Sequence, residues 1–217
     1  VIGDRRPYGQ WLAASADRLT APRAAPHSAD ILAWDVPPRM PGWATPDAVA
    51  AVRRRMRQAA QSATPLGRTR AQHNELNILH HGTRVTRVLH QVSEQGGLPM
   101  ASPFFDDHVI EACWSVQPED RSSPWLYKPL LKAAMRGVVP SEVLKRETKG
   151  EASVDAANGL RENRARIAEL WHDSRLARLG LVDADRLLAT TLQPSSPELR
   201  YAGLDSTLAC EIWLRTI

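Results

Sequence analysis

The sequence predicts a mainly α-helical chain, and three observations carry that reading. Apolar residues recur at intervals of three and four along most of the length, residues that start and stop helices bracket those stretches, and prolines gather in connecting segments. The 217 residues suffice for one ordinary domain, or a generous half of a larger one, with a sizeable core. Nothing in the chain demands two independent domains.

In order, residues Val1 to Leu19 hold a short amphipathic stretch in which Trp11, Leu12 and Leu19 share helical spacing. Prolines at 22, 26, 37, 38, 41 and 46 then forbid a long helix or a central strand between Thr20 and Pro46. This segment also carries Trp34 and Trp43, side chains too large and apolar for a free linker, so it is expected to lie against a surface. A helix follows over Thr45 to Ala63, with Thr45 as N-cap, Pro46 at the first position and Asp47 near the positive end of the dipole. Its cluster "RRRMR", Arg53 to Arg57, reads as a solvated helix face.

A second helix spans Thr69 to Glu94, where Leu76, Leu79, Val85, Val88, Leu89 and Val92 predict a buried stripe. Its polar face holds Glu75 and His73, His80, His81 and His90. Two metal ligands on one helix need a spacing of three or four, which these histidines lack, so no metal site is implied. Beyond Gly96-Gly97, "LPMASPFFDDHVIEACWSV" ends in a helix that starts at Asp106 and Asp107. One aspartate there caps free amides, and the second is available to a ligand or a basic partner.

"SSPWLYKPLLKAAMRGVVP" has helix starts at Ser123-Pro124 and at Pro129, and stops at Gly137 with Pro140 beyond. Lys128, Lys132 and Arg136 recur every four residues, predicting one basic face. "PSEVLKR" makes a short helix capped by Ser141, and it delivers the chain into the polar break "ETKGEAS". There Lys149 stands exposed, and Gly150 lets the loop approach a bound group closely. Leu160 to Trp171, Asp183 to Leu192 and Glu198 to Leu214 complete the helical pattern.

Composition excludes several classes. The net charge of +4 is dispersed among interleaved acids, with no basic arm or aromatic-basic motif to read nucleic acid. Cys113 and Cys210 lack ligand spacing and sit in apolar patterns, so they are expected to be buried reduced thiols in a cytoplasmic protein. No apolar run reaches membrane-spanning length and no signal peptide is present. The chain opens at Val1 without an initiator methionine, as expected of a fragment or processed piece.

The ordered series "SPFFDDHVIEACWSVQPEDR", then "YKPLLKAAMRGVVPSEVLKRETKGEAS", resembles the C-terminal synthetase half of the asparagine synthetase family. That family shows a PFLD-type acid motif at a helix start, a K-x-L-L-x-x-A helix, a short P-x-x-V/L helix and a loop with Lys-Gly. The "W-x-YKPLL" element, the "TKGE" loop and the tryptophan-bearing tail are most similar to actinobacterial lasso peptide cyclases. The resemblance implies that residues 1–217 are the C-terminal helical part of one α/β, adenine nucleotide α-hydrolase-like ligase domain.

It also implies an ATP-dependent amide ligase that adenylates an Asp or Glu side chain of a precursor peptide. The peptide's own N-terminus then attacks and closes an isopeptide ring. Lys149 matches the family's loop lysine, beside the α-phosphate and the reacting carbonyl. Asp106 matches the PFLD acid and is expected to orient basic groups or the incoming amine, with Lys128 as its charge partner. Tyr127, Glu75 and Gly150 complete the expected substrate-binding set, Glu75 helping to position the amine. A leader-binding protein and a leader peptidase are the implied partners.

The chain departs from the family in lacking the SGGxDS pyrophosphate loop, the acidic glycine-rich loop for magnesium and the glutaminase-like domain. The ligands of ATP and Mg are therefore expected outside this chain, in a nucleotide-binding half of the same protein. "AGLDST", Ala202 to Thr207, reads as a decoy placed inside a helix, where consecutive amides are not free. A small-molecule ligase of the asparagine or β-lactam synthetase type and a non-catalytic helical binding module are the alternatives.

Overall fold

The computed structural model describes residues 6–21, 33–123, 125–147, 153–193 and 203–217. The helices are α1 (Tyr8–Asp17), α2 (Pro46–Ala60), α3 (Arg70–Gln95), α4 (Asp107–Ser115), α5 (Pro118–Arg121), α6 (Pro129–Ala134), α7 (Ser141–Leu144), α8 (Ser153–Glu162), α9 (Arg164–His172), α10 (Arg175–Arg178), α11 (Ala184–Leu192) and α12 (Leu204–Thr216). A 3₁₀ turn, Pro103–Phe105, precedes α4. Two isolated bridges, Ala44 with Val182 and Arg136 with Val139, are the β pairing among the described residues, which contain no strand. The mainly helical content expected from periodicity is observed, and an α/β nucleotide-binding core is not seen among these residues. The chain forms two compact units, Val1–Asn77 with Ala152–Ile217, and Ile78–Glu151.

The first unit is organised by local signals and by tryptophan. Thr45 caps α2 as its sequence requires, its Oγ1 accepting from Ala48 N–H at 3.1 Å. The same hydroxyl donates to the Gly180 carbonyl at 2.6 Å, so one side chain ties α2 to the turn after α10. Thr45→Ala is therefore expected to cost about 1–2 kcal/mol, seen as a lower urea midpoint at unchanged slope, with Thr45→Ser retaining most of it.

Helix α1 lies so close to α2 that a Cβ on Gly9 would stand 2.6 Å from the Ala60 carbonyl oxygen. Arg53 Nε donates to the Ala16 carbonyl at 3.3 Å, and Arg57 pairs with Asp17. Arg54, Arg55 and Arg57 of the basic cluster are exposed, as expected of a solvated face, while Arg53 is half-buried, and Arg53 and Arg57, one turn apart, both reach the end of α1.

Trp43, Ile167, Trp171, Leu187 and Leu204 form the core cluster, with Trp43 fully buried. Both indoles find acceptors: Trp43 Nε1 donates to Thr207 Oγ1 at 3.2 Å, and Trp171 Nε1 to Thr191 Oγ1 at 3.0 Å. Each polar handle is thus satisfied where the ring is buried. The expected helix over Leu160 to Trp171 breaks at Asn163, whose amide donates to the Gly159 carbonyl at 2.9 Å and separates α8 from α9.

Glu211 on α12 is fully buried. Its carboxylate accepts from Ser174 Oγ at 2.9 Å, Arg175 N–H at 2.9 Å, Leu176 N–H at 3.1 Å and Arg215 Nε at 2.9 Å. Burial pushes this carboxyl up, and the hydrogen bonds from the Arg175 and Leu176 amides, Ser174 and Arg215 outweigh it, leaving the pKa below the ordinary value.

The second tryptophan of the proline-rich segment also lies against a surface. Trp34 meets Tyr8 edge-on at 5.6 Å and His73 at 5.5 Å, Tyr8 stacks on Trp11 at 5.9 Å, and the Arg70 guanidinium lies 5.2 Å from the Trp34 ring. His73, 3% exposed, accepts from Leu66 N–H through Nδ1 at 3.0 Å. Burial holds its imidazole below the usual range, with Asp35 pulling the other way, so the neutral ring is the form that fits. Thr69 and Gln72 close the start of α3 reciprocally: Gln72 N–H donates to Thr69 Oγ1 at 3.1 Å, and Thr69 N–H to Gln72 Oε1 at 3.4 Å.

The second unit differs in its apolar content. Its described residues include no fully buried apolar side chain. Val85, Val88, Leu89 and Val92, expected to be buried, are exposed along α3, because spacing selects a face and no described element covers this one. Packing is concentrated where Phe105 approaches Gly82, at which a Cβ would stand 2.5 Å from the ring, and where His90 Nε2 meets Ser102 Oγ at 3.0 Å. The cysteines also depart from expectation: Cys113 is half-buried and Cys210 exposed, both free, since each lies off the packed side of its helix.

Candidate functional site

Within the second unit the stretch from the end of α5 to the start of α6, with Glu147 beyond α7, lines an open cavity of about 490 Å³. Arg121, Trp125, Leu126, Tyr127, Lys128 and Glu147 line it, together with two serines and Pro129. Ser123 shapes its rim, though not as the expected helix start: its Oγ accepts from Trp125 N–H at 3.1 Å in a bend, and helix begins only at Pro129. That bend leaves Trp125 89% exposed, with Leu126 beside it.

Lys128 is the N-cap residue of α6, with φ 50° and ψ 57°, the one non-glycine residue of positive φ among those described. A side-chain-bearing residue in this region costs about 1–3 kcal/mol and persists where its surroundings enforce it. Pro129 fixes the following residue, and the Lys128 ammonium rests 5.1 Å from the centre of the Tyr127 ring. The expected basic face of Lys128, Lys132 and Arg136 does not form, because α6 covers only Pro129–Ala134 and leaves the first and last of the three outside it. Pro140, extended at φ −52° and ψ 142°, occupies the cap position of α7 expected for Ser141, whose hydroxyl instead donates to Glu142 at 2.9 Å.

The structure thus brings Tyr127 and Lys128 together on one cavity. Asp106 belongs to the same unit and caps α4, its Oδ1 accepting from His108 N–H at 3.0 Å. It forms no ion pair with Lys128 among the described residues, the capping geometry holding its carboxylate on its own helix. Glu75 is half-buried and belongs to the first unit. Lys149 and Gly150 lie outside the described residues. Sequence reading passed over Glu147 as a lining residue, although it stands in the same polar break that drew attention to Lys149.

A family model described as asparagine synthase matches residues 5–215. The chain belongs to the asparagine synthase family. No curated protein and no solved structure matches it. Membership in the asparagine synthase family supports a general amide-ligase activity, and members typically use ATP with magnesium. The described residues do not fit the nucleotide and its metal: they include no strand-borne glycine loop and no group of three or more His, Cys, Asp or Glu able to hold an ion. They also include no helix long and apolar enough to cross a membrane.

The "AGLDST" run is placed differently from its expected position inside a helix. Gly203, in the left-handed region at φ 72°, is the N-cap of α12, so the motif stands at a helix start. Its side chains nonetheless serve packing: Leu204 is in the core, and Thr207 holds the Trp43 indole while donating to the Gly203 carbonyl at 3.1 Å.

Proposed function

We propose that this chain is the substrate-side part of an ATP-dependent ligase that closes a ring in a precursor peptide, as lasso peptide cyclases do. An Asp or Glu side chain is activated as its acyl-adenylate with release of pyrophosphate, and the peptide's N-terminal amine displaces AMP to give an isopeptide bond. Activation supplies the leaving group, and seating the peptide reduces the entropy cost of joining distant atoms. In this reading Lys149 stabilises charge developing at the reacting carbonyl, with Gly150 allowing close approach. Asp106 orients the reacting groups, and Tyr127, Lys128 and Glu75 hold the substrate.

The observation that carries the preference for a peptide over a small amino acid is the cavity that Tyr127 and Lys128 share, with Trp125 and Leu126 exposed at its mouth. An open cavity beside an exposed indole offers stacking surface to a chain that continues out into solvent. A leader-binding protein and a leader peptidase are the partners such chemistry calls for, in the cytoplasm.

The test is pyrophosphate exchange together with ring closure, read as loss of one water by mass spectrometry. It uses a candidate core peptide and the chain with its nucleotide-binding part supplied. Ring closure establishes the reading. Exchange driven by a free amino acid, with every peptide inert, replaces it with a small-molecule ligase.

A further inference from the structure

The cavity of the second unit carries opposite charges that do not neutralise one another. Lys128 and Glu147 both line it, with Arg121 as a second cation that has an interaction of its own, and among the described residues Lys128 and Glu147 form no ion pair with each other. The Lys128 backbone lies in the left-handed region, and its ammonium rests 5.1 Å from the Tyr127 ring centre. Glu147 enters just after α7, on a separate stretch of lining chain. Separated charges of opposite sign around one open space suit a ligand that is itself dipolar, because each ligand charge then meets its complement. The volume, about 490 Å³, is that of a small-ligand site, and the cavity is open to solvent along its exposed lining. The exposed Trp125 and Leu126 add apolar surface beside it.

We propose that this cavity seats a free peptide amino terminus against Glu147 and an acidic side chain of the same peptide against Lys128. The assignment rests on the peptide-ligase reading and deepens it, since those are the two groups such an enzyme joins. It gives the amine a holder other than Glu75, and it gives Lys128 an anionic partner on the substrate rather than Asp106.

The experiment is fluorescence anisotropy on this chain, without nucleotide. The probe is a short Gly/Ser/Leu peptide with one internal glutamate, a free amino terminus and a rhodamine label at its C-terminus. An N-acetylated peptide and a glutamine-for-glutamate peptide are the comparisons. Each loss is expected to weaken binding about tenfold, the scale of one charge-assisted hydrogen bond. Glu147→Gln is expected to abolish the preference for the free amino terminus while keeping the preference for glutamate, and Lys128→Met to do the reverse. Both side chains are exposed, and far-ultraviolet circular dichroism checks that the variants keep their helices.

Wild-type binding that ignores acetylation, absence of saturable binding, or variants that retain both preferences would overturn the assignment. Free leucine competing as well as the peptide also overturns it, by transferring the site to an amino acid. Ring closure alongside acetylation-blind binding would reject the site and leave the ligase reading standing. The two preferences without ring closure would do the opposite.

Discussion

Glu211→Ala is expected to destabilise the protein by about 2–4 kcal/mol, the order of leaving two buried donors without an acceptor. The effect is large because one carboxylate serves four donors: the Ser174 hydroxyl, the Arg175 and Leu176 amides at the start of α10, and Arg215 on its own helix. Truncation strands the buried Ser174 hydroxyl and Leu176 amide, each at its full desolvation cost, whereas Arg215 keeps the Leu170 and Asp173 carbonyls as acceptors. For a chain of this length the melting temperature should fall by on the order of 10 °C.

The pH dependence has a definite sign. The folded-state pKa of Glu211 lies below the ordinary value of 4.5, so between the two the unfolded state binds more protons. The stabilisation is fully present above about pH 4.5 and is lost as pH falls through the folded pKa. Denaturant midpoints measured from pH 7 downward should therefore converge for wild type and Glu211→Gln at the acid end. Parallel curves would show that the charge of Glu211 contributes nothing.

If the proposed ring-closing reaction holds, Lys149→Ala is expected to lower it by about 10²–10³-fold, the cost of removing one positioned donor at a developing charge. Because the same charge develops as the adenylate forms and as the amine attacks, pyrophosphate exchange should fall with it. Lys149→Arg keeps the charge but changes its shape, and should recover only part of the rate. Unchanged exchange with lost cyclisation would confine the lysine to the second step, and equal activity in wild type and Lys149→Ala would remove it from the chemistry.

What the sequence displays depends on how far apart the interacting residues lie. Thr45, Pro46 and Asp47 announce the start of α2 because a cap bonds to amides three residues away. Asp183 does the same for α11, accepting from Arg186 N–H at 3.0 Å. Glu211 gives no such signal, since its amide donors lie 35 and 36 residues earlier and only folding brings them to it. Periodicity along α3 marked Val85, Val88, Leu89 and Val92 as one face, yet burial depends on a second element that no spacing encodes. At the cavity, the residue types were legible in "WLYKP", whereas the left-handed backbone of Lys128 was not. Lysine rarely adopts that conformation and carries no mark of it.

The hydrogen bond from Trp43 to Thr207 joins residues 164 positions apart. Its consequence is one of timing on the ribosome. Trp43 is synthesised well before α12, so the core it shares with Trp171, Leu187 and Leu204 remains open until α12 clears the exit tunnel. Until then the nascent chain presents apolar surface that this helix will cover, and the first unit can complete its folding only after α12 has emerged.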